Sequence, residues 1–183
     1  MRKIKLIAAF AALMLVAAFT FIKPVDWKVK SDYSVKVNGG WTAEFKVFKA
    51  GIIFDEEYPG RSVITATVDA TSIETGKDLM NTHARDKEGL YTEKYPLILF
   101  ESTAVKKTED GYLAKGYLTL KGVIREVEIP FYFSSTKASA KFPFTDKEVF
   151  AGKFYIKSKD FNLTRQGIPN ELLIELKIPV VKK

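Results

Sequence analysis

The chain has 183 residues, with 29 Lys and Arg against 22 Asp and Glu for a net charge of +7, and it has no cysteine. Hydrophobic residues at 46%, including 14 Phe, supply enough apolar surface to offset the ordering entropy, which excludes a disordered chain. Eleven Gly and seven Pro are too few for a collagenous or low-complexity protein, and the lack of Cys excludes disulfides, thiolate metal sites, a cysteine nucleophile and lipid attachment through an N-terminal cysteine.

Arg2, Lys3 and Lys5 precede an apolar run from Leu6 to Ile22 broken only by Thr20, and Lys23-Pro24 ends it. A basic segment followed by an apolar one is the pattern of a secretory signal, with small residues at Val16-Ala17-Ala18 for cleavage. The run is also near the lower limit for a spanning helix, so a retained anchor is the second reading. Residues 1–22 are therefore expected to be a signal or N-terminal anchor. Residues 23–183 are expected to form one exported domain, periplasmic or elsewhere in the cell envelope, held to the membrane through residues 6–22 if the anchor is kept. Removing residues 1–18 takes away Arg2, Lys3 and Lys5 and lowers the net charge from +7 to +4. In the remainder Lys and Glu interleave, as at Lys46, Lys49, Glu56 and Glu57, which is a solvated mixed surface rather than the clustered basic face that nucleic acid requires.

From Trp27 onward the dominant period is two. Ala43, Phe45 and Val47 alternate with Thr42, Glu44 and Lys46. Ile64, Ala66 and Val68 alternate with Thr65, Thr67 and Asp69. Further on, Val127, Ile129, Phe131 and Phe133 share one face; so do Phe150, Gly152, Phe154 and Ile156, and then Leu172, Ile174, Leu176, Ile178 and Val180. Successive side chains of a strand point to opposite faces, so each segment has a buried and a wet side. Turn signals separate them at Asn38-Gly39-Gly40, Tyr58-Pro59-Gly60, Glu109-Asp110-Gly111, Lys121-Gly122 and Gln166-Gly167. Lys121-Gly122 predicts a tight hairpin after Leu120. The pattern predicts an all-β antiparallel sandwich or barrel, and a barrel has the merit of removing exposed edges.

One stretch breaks the alternation. Thr75 to Gly89 predicts a helix of roughly three turns, with Thr75 as N-cap, Asp78 as the capping-box acid, Gly89 as the stop, and Leu79 stacked on His83 one turn away with Met80 beside them. It would pack across one end of the sheet.

Several ordered motifs resemble the YceI-like family of polyisoprenoid-binding bacterial envelope proteins, from about Trp27 to Val180. They are the segment Phe48 to Asp55 with Gly51 and a terminal Phe54-Asp55, and Val68 to Gly76 leading into the helix. Next come Tyr95-Pro96 through Phe100 to Ser102-Thr103, and Gly116 to Val123 around Lys121-Gly122. The last is Phe154 to Phe161 with Ser158 and Asp160. The segment near the first strand departs from the family pattern, with Lys30, Tyr33, Ser34 and Val35 where Asp, His-Ser and Val are usual. The resemblance implies a lipocalin-like antiparallel β-barrel with one short helix packed across an end. It also implies non-catalytic binding, sequestration or transport of a long-chain isoprenoid, polyprenyl phosphate or quinone-like, in an interior pore.

The inward aromatic face has two readings: a filled core, or a tunnel for a prenyl chain. Under the tunnel reading the apolar pore lining comprises Phe45, Phe54, Ile64, Val68, Phe100, Leu118, Leu120, Ile129, Phe131, Phe133, Phe150, Phe154, Ile156, Ile174 and Leu176. Lys77 and Arg85 are the candidates to meet an anionic head. His83, the only histidine, has only Asp86 near its face and is assigned to the solvated helix surface. A lone histidine without cysteine makes a poor metal site. Ser72, Ser102 and Thr103 lack nucleophile-elbow glycines. Asp55 and Asp160 read as turn caps. No catalytic residue, metal or cofactor is expected. The expected partner is a long-chain isoprenoid or other amphiphilic lipid, with transient or anchored membrane association and no nucleic acid; pairing into a homodimer stays open. Two rivals stand beside this reading: an envelope enzyme acting on a lipid head group through His83, Asp86 and Arg85, and a structural or stress-related barrel with a filled core.

Overall fold

The period-two segments all form strands. A computed structural model describes residues 24–136 and 147–183; the apolar run read as a signal or anchor lies outside them. In chain order the elements are β1 (Val25–Val29), β2 (Ser34–Asn38), β3 (Thr42–Phe45), β4 (Phe48–Phe54), β5 (Val63–Asp69), β6 (Ile73–Glu74), α1 (Asp78–Arg85), β7 (Leu97–Thr108), β8 (Gly111–Leu120), β9 (Val123–Thr136), β10 (Lys147–Lys157) and β11 (Glu171–Lys182).

Every pairing is antiparallel, and the order β1-β4-β5-β7-β8-β9-β10-β11 returns to β1, closing an eight-stranded barrel. Closure pairs every strand of this ring on both sides along at least part of its length. Three staves are interrupted. The edge of β11 is shared, Val180 to Lys182 pairing with β1 and Leu173 to Lys177 with β2. β3 precedes β4 on a second stave, and β6 extends a third beyond β5, where it pairs with β3.

Close approaches fix the wall. Lys121 (φ 51°) and Gly122 (φ 73°) form the expected two-residue hairpin turn between β8 and β9, both in the left-handed region that such turns require. The ladder between β7 and β8 slips between Ser102 and Ala104, opposite Gly116, where a Cβ would lie 2.2 Å from the Glu101 carbonyl oxygen. The hydroxyls flagged in the sequence stitch this region: Ser102 Oγ accepts the Ile64 N–H at 2.8 Å, and Thr103 Oγ1 donates to the Lys115 carbonyl at 3.2 Å. Asp55 Oδ1 organises its turn by accepting the Glu57 and Tyr58 amides.

The helix is shorter than expected, and its capping differs. It spans Asp78–Arg85 with Lys77 at the N-cap and no side-chain capping bond. Gly76 (φ 79°) turns the chain before the helix begins, so Thr75 does not cap it. Instead Asn81 reaches back, its Oδ1 accepting the Thr75 amide (2.8 Å) and hydroxyl (2.7 Å) while its Nδ2 donates to Glu74 (2.8 Å). The end comes at Asp86, whose Oδ1 accepts the Glu88 and Gly89 amides. Gly89 is needed for space: a Cβ there would meet the His83 and Ala84 carbonyl oxygens at 2.6 and 2.5 Å. Leu79 points outward, 67% exposed; Met80, His83 and Ala84, at i, i+3 and i+4, form the inward stripe.

Candidate functional site

Inside the barrel the inward faces do two different things at the two ends. At the end formed by the C-terminus of β4 and the N-termini of β8 and β10, aromatic rings meet. Phe54, 1% exposed, lies 5.0 Å from Tyr112, 5.2 Å from Phe150, 5.4 Å from Phe133 and 5.8 Å from Phe131, ring centre to ring centre. Trp27 completes the group, 5.2 Å from Phe133 and 6.1 Å from Phe150. Tilted and edge-on pairs at these separations each contribute about 0.5–1.5 kcal/mol beyond burial. This end is filled.

Toward the other end the same faces enclose a cavity of about 390 Å³. Well-packed interiors hold few voids larger than a water molecule, and sites for small molecules run to roughly 300–1,000 Å³, so this space belongs to the second class. Small inward residues create it. Ala50 and Ala66 are direct cross-strand neighbours, and both line the cavity together with Ala114. The lining on β8 runs from Ala114 to Leu120, and on β10 from Phe150 to Ile156, which is about 20 Å of strand in each case.

Of the residues assigned to a pore lining, all but Phe54 and Phe133 line this cavity. Those two belong to the aromatic plug. Neither Lys77, which is exposed, nor Arg85 is part of the lining; Arg85 Nη2 donates to the Ile73 carbonyl at 2.8 Å. His83 departs from its expected place on the solvated surface, because the helix is rotated from the Leu79 face toward Met80, and the imidazole lines the cavity instead. The loop from Arg165 to Ile168 also lines it and was missed by the sequence reading; the Gln166-Gly167 turn signal marked a reversal but not its destination.

These elements make the mouth, where Thr75, His83, Arg165 and Gln166 interrupt an otherwise apolar lining. The rim is tied together. Glu88 O accepts the Thr164 and Arg165 amides, both at 3.2 Å, and Lys121 Nζ at 3.4 Å; Lys121 also donates to Asn162 O at 2.7 Å. Burial pushes the Lys121 pKa below its ordinary value, against the pull of Asp86 and Glu88. Arg165 bonds to the Asp86 carboxylate. Burial opposes the charge on Asp86, but the Gly89 amide, the Arg165 guanidinium and the Glu88 amide outweigh it and hold the carboxyl below its ordinary pKa. Asp86 is thus committed to the loop. Among the described residues no hydrogen bond joins it to His83, and no group of three or more His, Asp or Glu is placed to hold a metal. What the arrangement offers is an apolar chamber with a few polar residues at one end.

The family profile of the YceI-like domain matches residues 20–180. The chain belongs to the YceI-like family. A UPF0312 protein of Serratia proteamaculans is 34% identical over 137 residues, 74% of this chain and 70% of that protein. A UPF0312 protein of Yersinia enterocolitica is 32% identical over the same extent. Among solved structures, Burkholderia cenocepacia BcnA superposes with a TM-score of 0.73 at 24% identity, covering 84% of this chain and 99% of that one. A polyisoprenoid binding domain from Saccharophagus degradans superposes with a TM-score of 0.59 at 14% identity, covering 87% and 99%. At these identities the two superpositions establish the YceI-like barrel fold, and the expected lipocalin-like antiparallel barrel with one short helix stands.

Proposed function

We propose that this YceI-like protein binds a long-chain isoprenoid lipid non-covalently inside its barrel and sequesters or transports it in the bacterial cell envelope. The observation that carries the reading is the apolar cavity of about 390 Å³ beyond a closed aromatic end. A chain lying in the cavity ends against the plug. The Saccharophagus degradans neighbour, described as a polyisoprenoid binding domain, supports the ligand class, and the apolar run from Leu6 to Ile22 after basic residues supports export or anchoring.

The energetics suit a prenyl tail. Burial contributes about 0.8 kcal/mol per methylene-sized group, so each five-carbon unit supplies about 4 kcal/mol gross. Ordering a flexible chain cancels part of that, and a few units leave a useful surplus. No polar contact along the tail is needed. Loading and release require contact with a membrane, because water does not dissolve such a chain.

Mass spectrometry of an organic extract from natively purified protein tests the reading. A retained long-chain isoprenoid is expected. A clean extract, together with no uptake of added prenyl lipid, would leave a barrel without cargo.

A further inference from the structure

The barrel wall has a break where β1 gives way to β2. β1 pairs with β4 only at Ile52, Ile53 and Phe54, so Phe48 to Gly51 have no ladder partner on that edge among the described residues. One side chain stands in. Tyr33 Oη accepts the Phe48 N–H at 3.1 Å and donates to the Lys46 carbonyl at 2.8 Å, and its ring lies 5.3 Å from that of Phe48.

Outside this break is a second depression, of about 340 Å³. Phe48 and Ala50 line both it and the interior cavity. The outer lining holds Lys28, Lys30, Lys49 and Lys183 and no Asp or Glu side chain. Lys183 is paired with Asp26. Lys28, Lys30 and Lys49 have no acidic partner among the described residues. Trp27, on the same lining and 3% exposed, keeps its indole Nε1–H buried without an acceptor. The mouth differs in kind. There Arg165 pairs with Asp86 and Lys121 donates to the Asn162 and Glu88 carbonyls; Arg85, outside the lining, donates from Nη2 to the Ile73 carbonyl while its buried Nε has no acceptor.

We propose that the depression at the β1–β2 break seats the phosphate of an anionic amphiphile, whose tail enters the cavity past Phe48 and Ala50. The inference rests on the lipid-binding reading and adds where an anionic head goes. Lysine ammonium groups bind phosphate oxygens through charge-assisted hydrogen bonds, and at an exposed site such contacts weaken as salt rises. Among the described residues the Tyr33 latch is the only polar bridge across the break, so passage of a tail disturbs two hydrogen bonds rather than a ladder.

Titration calorimetry with geranylgeranyl phosphate, geranylgeraniol and inorganic phosphate tests it, on the native chain and on a variant carrying Lys28→Gln, Lys30→Gln and Lys49→Gln. All three lysines are exposed, so the variant keeps its fold. At low salt the native protein is expected to bind the prenyl phosphate about tenfold more tightly than the alcohol. The preference should shrink below about twofold in the variant, with affinity for the alcohol unchanged. Equal affinity for phosphate and alcohol in the native protein, or a preference that survives the triple substitution, overturns the proposal. Lysine-dependent binding of inorganic phosphate with no preference for the prenyl phosphate overturns it as well, because the seat then serves a free anion. If neither prenyl compound binds, the lipid reading itself fails and takes this inference with it.

Discussion

The two ends of the barrel use the same alternation and the same residue types to opposite effect. At the plug, Trp27, Phe54, Tyr112, Phe131, Phe133 and Phe150 interlock ring against ring. Toward the mouth, Phe45, Phe100 and Phe154 face space that Ala50, Ala66 and Ala114 leave unfilled. Hollowness here comes from where the alanines sit, not from how many aromatics the strands carry. A phenylalanine therefore has two values in this molecule, set by its height along the barrel axis.

Swapping like for like at the two ends should expose this most strongly. Phe54→Ala removes a side chain with four ring neighbours and is expected to cost about 3–5 kcal/mol in denaturant unfolding. Phe154→Ala, at a side chain already bordering empty volume, should cost only about 2 kcal/mol, because fewer contacts are lost. Equal losses would mean that the two ends are packed alike.

Filling the room is the complementary change. Ala66→Phe should lower affinity for a prenyl lipid about tenfold, equivalent to about 1.4 kcal/mol, while changing unfolding stability by less than about 1 kcal/mol. A large loss of stability instead would show that no room was there to fill. Competition with a fluorescent prenyl alcohol and urea titration on one preparation read both quantities.

The mouth loop provides a smaller, pH-dependent effect. Asp86 has a folded-state pKa below the ordinary value of 3.8, so its contribution is fully present above that value and is lost as the pH falls through the depressed folded value. Asp86→Asn should cost about 1 kcal/mol at pH 7, discounted for partial exposure, and the gap to the native protein should narrow progressively as the pH falls below 3.8. A gap independent of pH would mean that the carboxylate charge does not hold the loop. Smallest of all, His83→Ala should leave prenyl affinity within about twofold and stability within about 0.5 kcal/mol, since the imidazole borders the chamber without a carboxylate partner. Loss of a lipid-modifying turnover on that substitution would instead revive the enzyme reading.

The strands were legible because a half-buried sheet imposes period two, and residues such as Ile64, Val68, Leu118 and Ile174 can only be read one way. Closure was legible through resemblance more than through pattern, since alternation fits a sandwich equally well. Alternation tells which face a residue takes but not its position along the axis, and for that reason Phe54 and Phe133 were grouped with the cavity lining although they belong to the plug. The helix misreading has a different origin. Thr75 has the chemistry of an N-cap, but the left-handed Gly76 and the reach of Asn81 redirect it, and that exchange depends on tertiary placement. The inward turn of His83 and the arrival of Arg165 at the mouth depend on how a loop folds over the barrel end, for which local sequence carries no periodic signal.

The central claim is that a lipid tail occupies the chamber between the aromatic plug and the helix. A photoreactive prenyl alcohol, cross-linked to the full chain and located by peptide mass spectrometry, tests it directly. The account predicts one adduct per chain on lining residues such as Ile98, Leu118 and Phe154, suppressed by excess unlabelled prenol. Labelling confined to outward positions such as Leu79, Ile124 or Tyr155 would contradict it.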